Sequence, residues 1–148
     1  MSPSVLYAED EPDDVFFLKR AFKQAGIEEQ LRTVSDGNEA IDYLSGRGKY
    51  SDRREHPLPN IVLLDLKMPE TSGFDILRWI RTAPGISSLP VVIFTSSSQP
   101  TDIERASTLG ANGYLVKPGS PDLLLDLVKA FKDYWLKHDS FPRRAKEA

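Results

Sequence analysis

Short runs of β-branched, aromatic and aliphatic residues alternate along this chain with segments in which apolar residues recur every three or four positions. The short runs predict five β-strands, at 5–8, 31–34, 61–64, 91–94 and 114–116. The runs at 61–64 and 91–94 are apolar at every position, which is typical of strands buried on both faces of a parallel sheet.

The segments with helical period predict five helices, one after each strand. Their apolar stripes are, in chain order, Val15, Leu18, Phe22 and Ala25; Ala40, Ile41 and Leu44; Phe74, Leu77 and Ile80; Ile103, Ala106 and Leu109; and Leu124, Leu127, Val128 and Phe131. Gly26 and Gly110 each follow a stripe, where glycine commonly ends a helix. The last helix is expected to extend to about Leu136.

Five successive βα units predict an α/β protein in which a parallel sheet is covered by helices on both sides. Right-handed crossovers favour a doubly wound, flavodoxin-like arrangement with strand order 2-1-3-4-5. We expect one domain over residues 1–137, followed by a C-terminal tail over 138–148 that is too short for a further domain.

One segment, 46–59, does not follow the alternation of strands and helices. It is polar, contains four basic residues and ends in Pro57-Leu58-Pro59. This composition predicts a long exposed loop. Loops longer than about 12 residues are uncommon in compact domains and are often functional, but a tolerated insertion explains the pattern equally well.

The composition excludes several classes of function. The 148 residues include 19 Lys and Arg and 22 Asp and Glu, a net charge of −3, which argues against a broadly basic nucleic-acid-binding surface. The absence of cysteine excludes disulfides and thiolate chemistry, and two histidines are too few for a multi-histidine metal centre. No apolar run approaches the roughly 18 residues that span a bilayer, and the N-terminus lacks a secretion signal, so we expect a cytoplasmic protein without membrane contact.

Polar residues follow four of the predicted strands at their carboxyl ends: Glu9-Asp10-Glu11, Asp65, Thr95-Ser96 and Lys117. These strands, the first, third, fourth and fifth, are neighbours in the predicted order, so their ends meet at one edge of the sheet. Each residue alone has an ordinary structural explanation, such as a helix start or a turn. The four ends together indicate a functional site.

Electrostatics indicates what such a site does. Two carboxylates about 4 Å apart repel by about 4 kcal/mol at an effective dielectric constant of about 20, so Glu9, Asp10 and Asp65 need cations close by. Lys117 supplies one positive charge, and Mg²⁺, which binds one or two carboxylates, supplies the other. This set of groups suits phosphoryl transfer, in which a carboxylate attacks phosphorus while the cations and a hydroxyl stabilise its oxygens.

Four stretches of the chain resemble the receiver domain of two-component response regulators. They are 5–11 (VLYAEDE), 61–74 (IVLLDLKMPETSGF), 91–96 (VVIFTS) and 110–118 (GANGYLVKP), which together are highly specific. The resemblance extends from Val5 to about Lys137. It implies a signalling protein that accepts a phosphoryl group from a histidine kinase and is not an enzyme beyond its own phosphotransfer and dephosphorylation.

The resemblance also implies which residues carry the chemistry. Asp65 is the expected phosphoryl acceptor, and Lys117 is expected to pair with the phosphoryl group. Glu9 and Asp10 are the acidic pair that holds Mg²⁺ together with Asp65. Lys67 is expected to add only its backbone carbonyl to the metal, so its side chain is free to vary.

A switch is implied by the same resemblance. Thr95 is the expected switch hydroxyl, and Tyr114 is the aromatic residue whose rotamer follows the phosphorylation state. The peptide bond between Lys117 and Pro118 is often cis in this family.

Two looser features resemble the single-domain regulators that partner bacterial and cyanobacterial phytochromes. They are the basic segment 46–59 and the Tyr134-Trp135 and Phe141-Pro142 pairs after the last helix. We therefore expect a bacteriophytochrome as the kinase and no DNA-binding output domain. We expect these aromatic residues to form the contact of a homodimer, since aromatic anchors are enriched at interfaces and twofold dimers are the commonest oligomers. Packing of the same residues back on the last helix is the alternative.

Other classes share parts of this pattern. A flavodoxin-like cofactor binder needs a phosphate loop after the first strand, where this chain has three acidic residues. A haloacid-dehalogenase-type phosphatase needs a second Asp two residues after the nucleophile, where Lys67 stands, and the P-loop motif is absent. A flavodoxin-like interaction module without phosphorylation remains an open alternative at this point.

Overall fold

A parallel sheet of five short strands forms the centre of the protein, whose computed structural model describes residues 3–136. The strands are β1 (Val5–Ala8), β2 (Leu31–Val34), β3 (Ile61–Leu64), β4 (Val91–Thr95) and β5 (Gly113–Val116). They lie in the order β2-β1-β3-β4-β5, which confirms the predicted topology. Every residue of β1, β3 and β4 is buried, because helices cover both faces of the sheet.

Five α-helices connect and follow the strands: α1 (Pro12–Gln24), α2 (Gly37–Ser45), α3 (Gly73–Thr82), α4 (Pro100–Thr108) and α5 (Pro121–Phe131). Proline stands in the first turn of α1, α4 and α5, where its missing N–H leaves no helical hydrogen bond unmade and its fixed φ suits the helix. A π-helical turn, Lys132–Leu136, continues α5, so the helical path reaches its predicted end.

Alternate residues of the strands enter two separate cores. On one face of the sheet, Tyr7 of β1 lies among residues of α1 and α5, including Phe22 and Phe131. On the other face, Leu64 of β3 lies among residues of α2, α3 and α4, including Ile80. The molecule is therefore built of three layers with the sheet in the middle, as the doubly wound arrangement predicts.

The register of the sheet brings the carboxyl ends of four strands level. Ala8 of β1 pairs with Leu64 of β3, and Leu64 pairs with Ile93 of β4. At the far side, Thr95 of β4 pairs with Val116 of β5. The residues that follow these positions therefore lie next to one another at the carboxyl ends of the strands.

Two details differ from the sequence-based expectations, and the structure also gives the isomer of a peptide bond that the sequence left open. β5 begins at Gly113 and is only partly buried, because it lies at the edge of the sheet. Ile103 is 40% exposed, although its stripe predicts burial, because α4 contacts the core through Ala106. The Lys117–Pro118 peptide bond is trans, as are all peptide bonds of the described chain.

The segment 46–59 is a loop with one 3₁₀ turn, as predicted, but it is only partly exposed because it packs onto α2. Tyr50 ends a 3₁₀ turn and is buried against Tyr43, with the ring centroids 4.8 Å apart. The Tyr50 hydroxyl donates a hydrogen bond to the Glu39 carboxylate, and the Tyr43 hydroxyl donates one to the Pro57 carbonyl at 2.9 Å. The polar composition of the segment gave no sign of this packing, because a tyrosine can bury its apolar ring while its hydroxyl stays hydrogen-bonded.

Arg53 binds the same segment to the C-terminal end of α2. Its guanidinium donates hydrogen bonds to the carbonyl oxygens of Tyr43 at 2.8 Å, Leu44 at 2.9 Å and His56 at 3.2 Å. The last four carbonyl groups of a helix lack their usual helical partners, and Arg53 binds two of them. Gly46, with a φ of 70°, lets the chain turn back towards the helix at this point.

Most of the aromatic residues that follow α5 in the sequence lie outside the described part of the chain. These are Phe141, within the tail 138–148, and the side chain of Trp135; the side chain of the neighbouring Leu136 also lies outside the described part. Tyr134 is described and is 55% exposed. Between residues 3 and 136, no helix combines the length and the apolar character that crossing a membrane requires.

We expect Arg53→Ala to lower the free energy of unfolding by about 1–3 kcal/mol, because the carbonyl groups of Tyr43 and Leu44 lose a charged donor. Urea denaturation followed by circular dichroism measures the change. Arg54→Ala is the matched control, since the Arg54 side chain is 93% exposed and its loss should cost less than about 0.5 kcal/mol. Equal unfolding free energies for the two variants would contradict a stabilising role for Arg53.

Candidate functional site

Four of the predicted site residues stand at strand ends on one edge of the sheet. Glu9 follows β1, Asp65 follows β3, Thr95 ends β4 and Lys117 follows β5. The Asp65 N–H donates to the Ala8 carbonyl at 3.2 Å, and the Lys117 N–H donates to the Thr95 carbonyl at 2.7 Å. The four side chains are largely buried, so their charges interact with less screening than at an open surface.

The ammonium group of Lys117 lies at the centre of the cluster. Its Nζ donates to Glu9 Oε1 at 2.5 Å, to Asp14 Oδ2 at 2.9 Å and to Asp65 Oδ2 at 3.1 Å. Burial lowers the pKa of Lys117, but hydrogen bonds to Asp14 and Glu9 and the charge of Asp65 outweigh it and hold the pKa above its ordinary value. All three N–H bonds of a permanently charged ammonium are therefore engaged.

Glu9, Asp10 and Asp65 form a group that can hold a metal ion. Each offers one carboxylate oxygen, and these oxygens lie within 4.8 Å of one another. Hard oxygen donors in this arrangement suit Mg²⁺ or Mn²⁺. The N–H of Lys67 donates to Asp65 Oδ1 at 3.4 Å, while the residue itself is exposed, so the backbone of Lys67 is the part that lies beside the acids.

Asp65 is placed to remain ionised. Burial raises its pKa, but a hydrogen bond with Glu9 and the charge of Lys117, together with hydrogen bonds from Thr95 and Lys117, outweigh burial and keep the pKa of Asp65 below its ordinary value. Thr95 is 1% exposed, so its hydroxyl is directed into the cluster rather than to solvent. An ionised carboxylate shielded from bulk water is a competent nucleophile.

Glu9 has the opposite electrostatic balance. Burial, opposed by Lys117 and reinforced by Asp65, raises the pKa of Glu9 to about 7. The buried Tyr7 hydroxyl donates to Glu9 Oε1 at 2.8 Å, and the Glu11 N–H donates to Oε2 at 3.3 Å. Both oxygens of Glu9 are thus oriented by neighbours, which fixes the direction in which this carboxylate faces a cation.

The loop after β3 packs closely against the backbone of Asp65. A Cβ atom at Gly73 would lie 2.2 Å from the Asp65 carbonyl oxygen, so only glycine fits at the start of α3. The Gly73 N–H donates to the Leu66 carbonyl at 3.1 Å. Glu70 has a φ of 68°, a left-handed conformation that costs a non-glycine residue about 1 kcal/mol or more. The position of Asp65 is therefore fixed from both sides, by β3 and by α3.

Tyr114 lies on β5 beside the loop that follows β4. It is opposite Ile93 in the sheet, and its hydroxyl donates to the Ser97 carbonyl at 2.9 Å. The ring is half-buried against the core on the α3 and α4 face. One hydrogen bond thus connects Tyr114 to the loop that begins just after Thr95.

The sequence pattern does not single out three residues that the structure places at the site: Tyr7, Asp14 and Gly73. Tyr7 precedes Glu9 by two positions in an extended segment, so both side chains lie on the same side, and that spacing was an available signal. Asp14 and Asp13 are equivalent in sequence as acids of the first turn of α1. Only the rotation of the helix decides which of them reaches Lys117.

Comparison with known proteins identifies the class. Residues 5–129 match the family model of the response regulator receiver domain, and this chain belongs to that family. The family consists of signalling proteins in which phosphorylation on an aspartate is general.

A curated relative has a similar length. The chain is 33% identical over 138 residues to the probable methanogenesis regulatory protein FilR2 of Methanothrix harundinacea, which covers 93% of this chain and 86% of FilR2. The match therefore extends along most of both chains.

Three solved structures are also similar along their whole length. Response regulator RPA3017, in red light signalling of R. palustris, has a TM-score of 0.88 at 36% identity and covers 96% of this chain and 99% of its own. The phosphorylated cyanobacterial phytochrome response regulator RcpA has a TM-score of 0.86 at 28% identity, covering 97% and 100%. The Mn²⁺-bound form of Rcp1, a protein of Synechocystis, has a TM-score of 0.80 at 30% identity, covering 95% and 100%.

We expect the metal-free protein to lose stability as the pH rises from about 5 to about 8. The pKa of Glu9 is raised in the folded state, to about 7, so folding takes up a proton in this range. The stability present at low pH is lost as Glu9 ionises, by on the order of 1–3 kcal/mol. The lowered pKa of Asp65 acts below this range and the raised pKa of Lys117 acts above it.

Urea denaturation in excess EDTA, at about pH 5.5 and about pH 7.5, measures this loss of stability. Glu9→Gln is the comparison variant, because a glutamine cannot ionise and should remove most of the difference between the two pH values. An unfolding free energy of the wild type that stays constant or rises with pH over this range would contradict the raised pKa of Glu9.

Proposed function

We propose that this protein is a signalling switch in which Asp65 accepts a phosphoryl group from the phosphohistidine of a kinase. The observation that carries the proposal is the position of Asp65 within the cluster. Its ionised carboxylate lies 3.1 Å from the Lys117 ammonium, and its oxygen lies within 4.8 Å of those of Glu9 and Asp10. A nucleophile is thus held between a fixed positive charge and a group of cation ligands.

In the proposed reaction, a carboxylate oxygen of Asp65 attacks the phosphorus of the phosphohistidine. The P–N bond breaks, and its electron pair goes to the imidazole nitrogen of the kinase. Lys117 and the Thr95 hydroxyl each donate a hydrogen bond to a phosphoryl oxygen as charge develops there. Hydrolysis of the acyl phosphate by water uses the same two groups, and we propose no other catalytic activity.

Magnesium is the proposed cofactor. Glu9, Asp10 and Asp65, with the backbone carbonyl of Lys67, would hold the ion, which neutralises charge on the carboxylates and on the phosphoryl oxygens. The donor set supports this assignment, because it offers few carboxylates and Mg²⁺ retains several water ligands. The Mn²⁺ bound in Rcp1 supports a divalent ion in a relative of the same fold.

Thr95 and Tyr114 are the proposed switch. A phosphoryl group on Asp65 offers the Thr95 hydroxyl a new acceptor, which draws the end of β4 and its loop inward. The Ser97 carbonyl, which accepts from Tyr114, lies on that loop, so the rotamer of Tyr114 responds. The response is a shift in population between two states, whose size depends on the contacts that differ between them.

We assign a kinase of the phytochrome type as the partner. The support comes from RPA3017, whose setting is red light signalling, and from RcpA, a phytochrome response regulator, both of which match over nearly their whole length. A kinase that draws its phosphate from ATP places the reaction in the cytoplasm. The net charge of −3 supports a protein partner rather than a nucleic acid or an acidic membrane surface.

A homodimer completes the proposal. Tyr134, Leu123 and Val116 are exposed by 55%, 58% and 43%, so apolar and aromatic side chains are accessible on α5, β5 and the turn that follows. Aromatic residues are the usual anchors of interfaces. Sedimentation velocity up to high micromolar concentration tests the dimer, and a protein that stays monomeric there, phosphorylated or not, contradicts it.

We expect Asp65→Asn to abolish phosphorylation by acetyl phosphate in the presence of Mg²⁺, because the amide is not a nucleophile. Intact-protein mass spectrometry measures the added phosphate, which hydroxylamine should remove from the wild type. Asp126→Asn, an exposed position on α5, is the matched control and should be labelled like the wild type. Undiminished labelling of Asp65→Asn would show that the acceptor lies elsewhere, and absent labelling of the wild type would favour an interaction module without phosphorylation.

The metal assignment is tested by the same labelling. Asp10→Ala should weaken Mg²⁺ binding and slow labelling together, because one of few protein ligands is lost. Labelling of the wild type that proceeds at its usual rate in excess EDTA would remove the metal from the mechanism.

We expect Thr95→Val to be phosphorylated on Asp65 but to transmit the signal weakly, because valine keeps the shape of the side chain and lacks the hydroxyl. The NMR resonances of the Tyr114 ring, recorded before and after labelling, measure the response. A full phosphorylation-dependent change at Tyr114 in this variant would contradict the proposed coupling.

A further inference from the structure

Of the three carboxylates that Lys117 contacts, Asp14 has no role in the proposed function. It lies in the first turn of α1, and its Oδ2 accepts from Lys117 Nζ at 2.9 Å. Its side chain is 37% exposed, whereas the side chains of Glu9 and Asp65 are 0% and 8% exposed. Asp14 therefore contacts the ammonium from the solvent side of the cluster. It is held there by helix α1, whereas Glu9 and Asp65 are held by strand ends.

The two other partners of Lys117 change when the site is occupied. Glu9 and Asp65 are the proposed ligands of the cation, and oxygens that bind a dication are weaker acceptors for an ammonium. Phosphorylation also converts the Asp65 carboxylate to an acyl phosphate, whose charge lies on the phosphoryl oxygens. Asp14 retains its charge and its place on α1 in each of these states.

We propose that Asp14 is a positioning residue that holds the Lys117 ammonium towards the phosphoryl group on Asp65. The inference rests on the proposed function and gives α1 a part in the site. Lysine carries a compact charge on a flexible four-carbon stem, so its direction must be set by its acceptors. With Asp14 bound to one N–H, another remains directed at the oxygen that Asp65, and later its phosphoryl group, presents.

A purely structural role for Asp14 is the competing explanation. Acidic residues in the first turn stabilise a helix through its dipole, and α1 has two of them, Asp13 and Asp14. Asp13 is exposed and belongs to the same turn. The two residues therefore share the helix effect and the long-range charge, and they differ in the contact with Lys117.

Asp14→Asn and Asp13→Asn form a matched pair for the test. Both variants remove one negative charge from the same turn of α1. We expect the rate constant for phosphorylation by acetyl phosphate, at saturating Mg²⁺, to be about tenfold lower in Asp14→Asn than in Asp13→Asn, because a misdirected charge stabilises the transition state poorly. The affinity for Mg²⁺, from titration calorimetry, should agree between the two variants, and circular dichroism should show both of them folded under the assay conditions.

Each result bears on the inference in a defined way. Equal rate constants for the two variants, with labelling of the wild type intact, would overturn the role of Asp14 and leave the proposed function standing. A lower rate constant accompanied by a parallel loss of Mg²⁺ affinity in Asp14→Asn alone would also overturn it, because Asp14 would then act through the metal. Failure of the wild type to be labelled on Asp65 would instead overturn the proposed function.

Discussion

Three carboxylates accept hydrogen bonds from one ammonium group at the carboxyl edge of the sheet, a fourth lies beside two of them, and this imbalance of charge governs the site. Glu9, Asp10, Asp14 and Asp65 repel one another more strongly than in water because the cluster is partly buried, and Lys117 offsets only part of the repulsion. A cation relieves the remainder. In the proposed function, a phosphoryl group on Asp65 adds negative charge to this cluster, and the contacts that change with it shift the population between two states.

The fold supplies the rigidity that such crowding requires. Glu9 and Asp65 directly follow β1 and β3, and Thr95 ends β4. Every residue of these three strands is buried, so the backbones at the site cannot withdraw from one another. Tyr7 extends this control into the core, since its ring packs below the sheet while its hydroxyl orients Glu9. Gly73, which lacks a side chain, lets the start of α3 pack directly against the backbone of Asp65 and so helps to fix its position. In a flexible loop the carboxylates would move apart and relieve their repulsion, whereas this fold keeps them close together.

The topology of the sheet and the residues at the strand ends could both be predicted from the sequence, because the same pattern of apolar runs ending in polar residues indicates both. An apolar run such as 61–64 marks a buried strand, and the polar residue that ends it, Asp65, marks the site edge. The contact of Asp14 could not be predicted, since it depends on the rotation of α1 about its axis. The packing of 46–59 was also missed, because Arg53 acts through backbone carbonyls, which no sequence pattern displays.

Because Arg53 joins 46–59 to the last turn of α2, we expect the two parts to unfold locally as one cooperative unit. The Tyr50 hydroxyl bond to Glu39 makes a second connection near the start of the same helix. Amide hydrogens in α2 and around Tyr50 should accordingly exchange with solvent through a shared opening event. The segment that looks most like an accessory to the domain thus belongs to its folding unit, and a chain without it would have to stabilise α2 by other means.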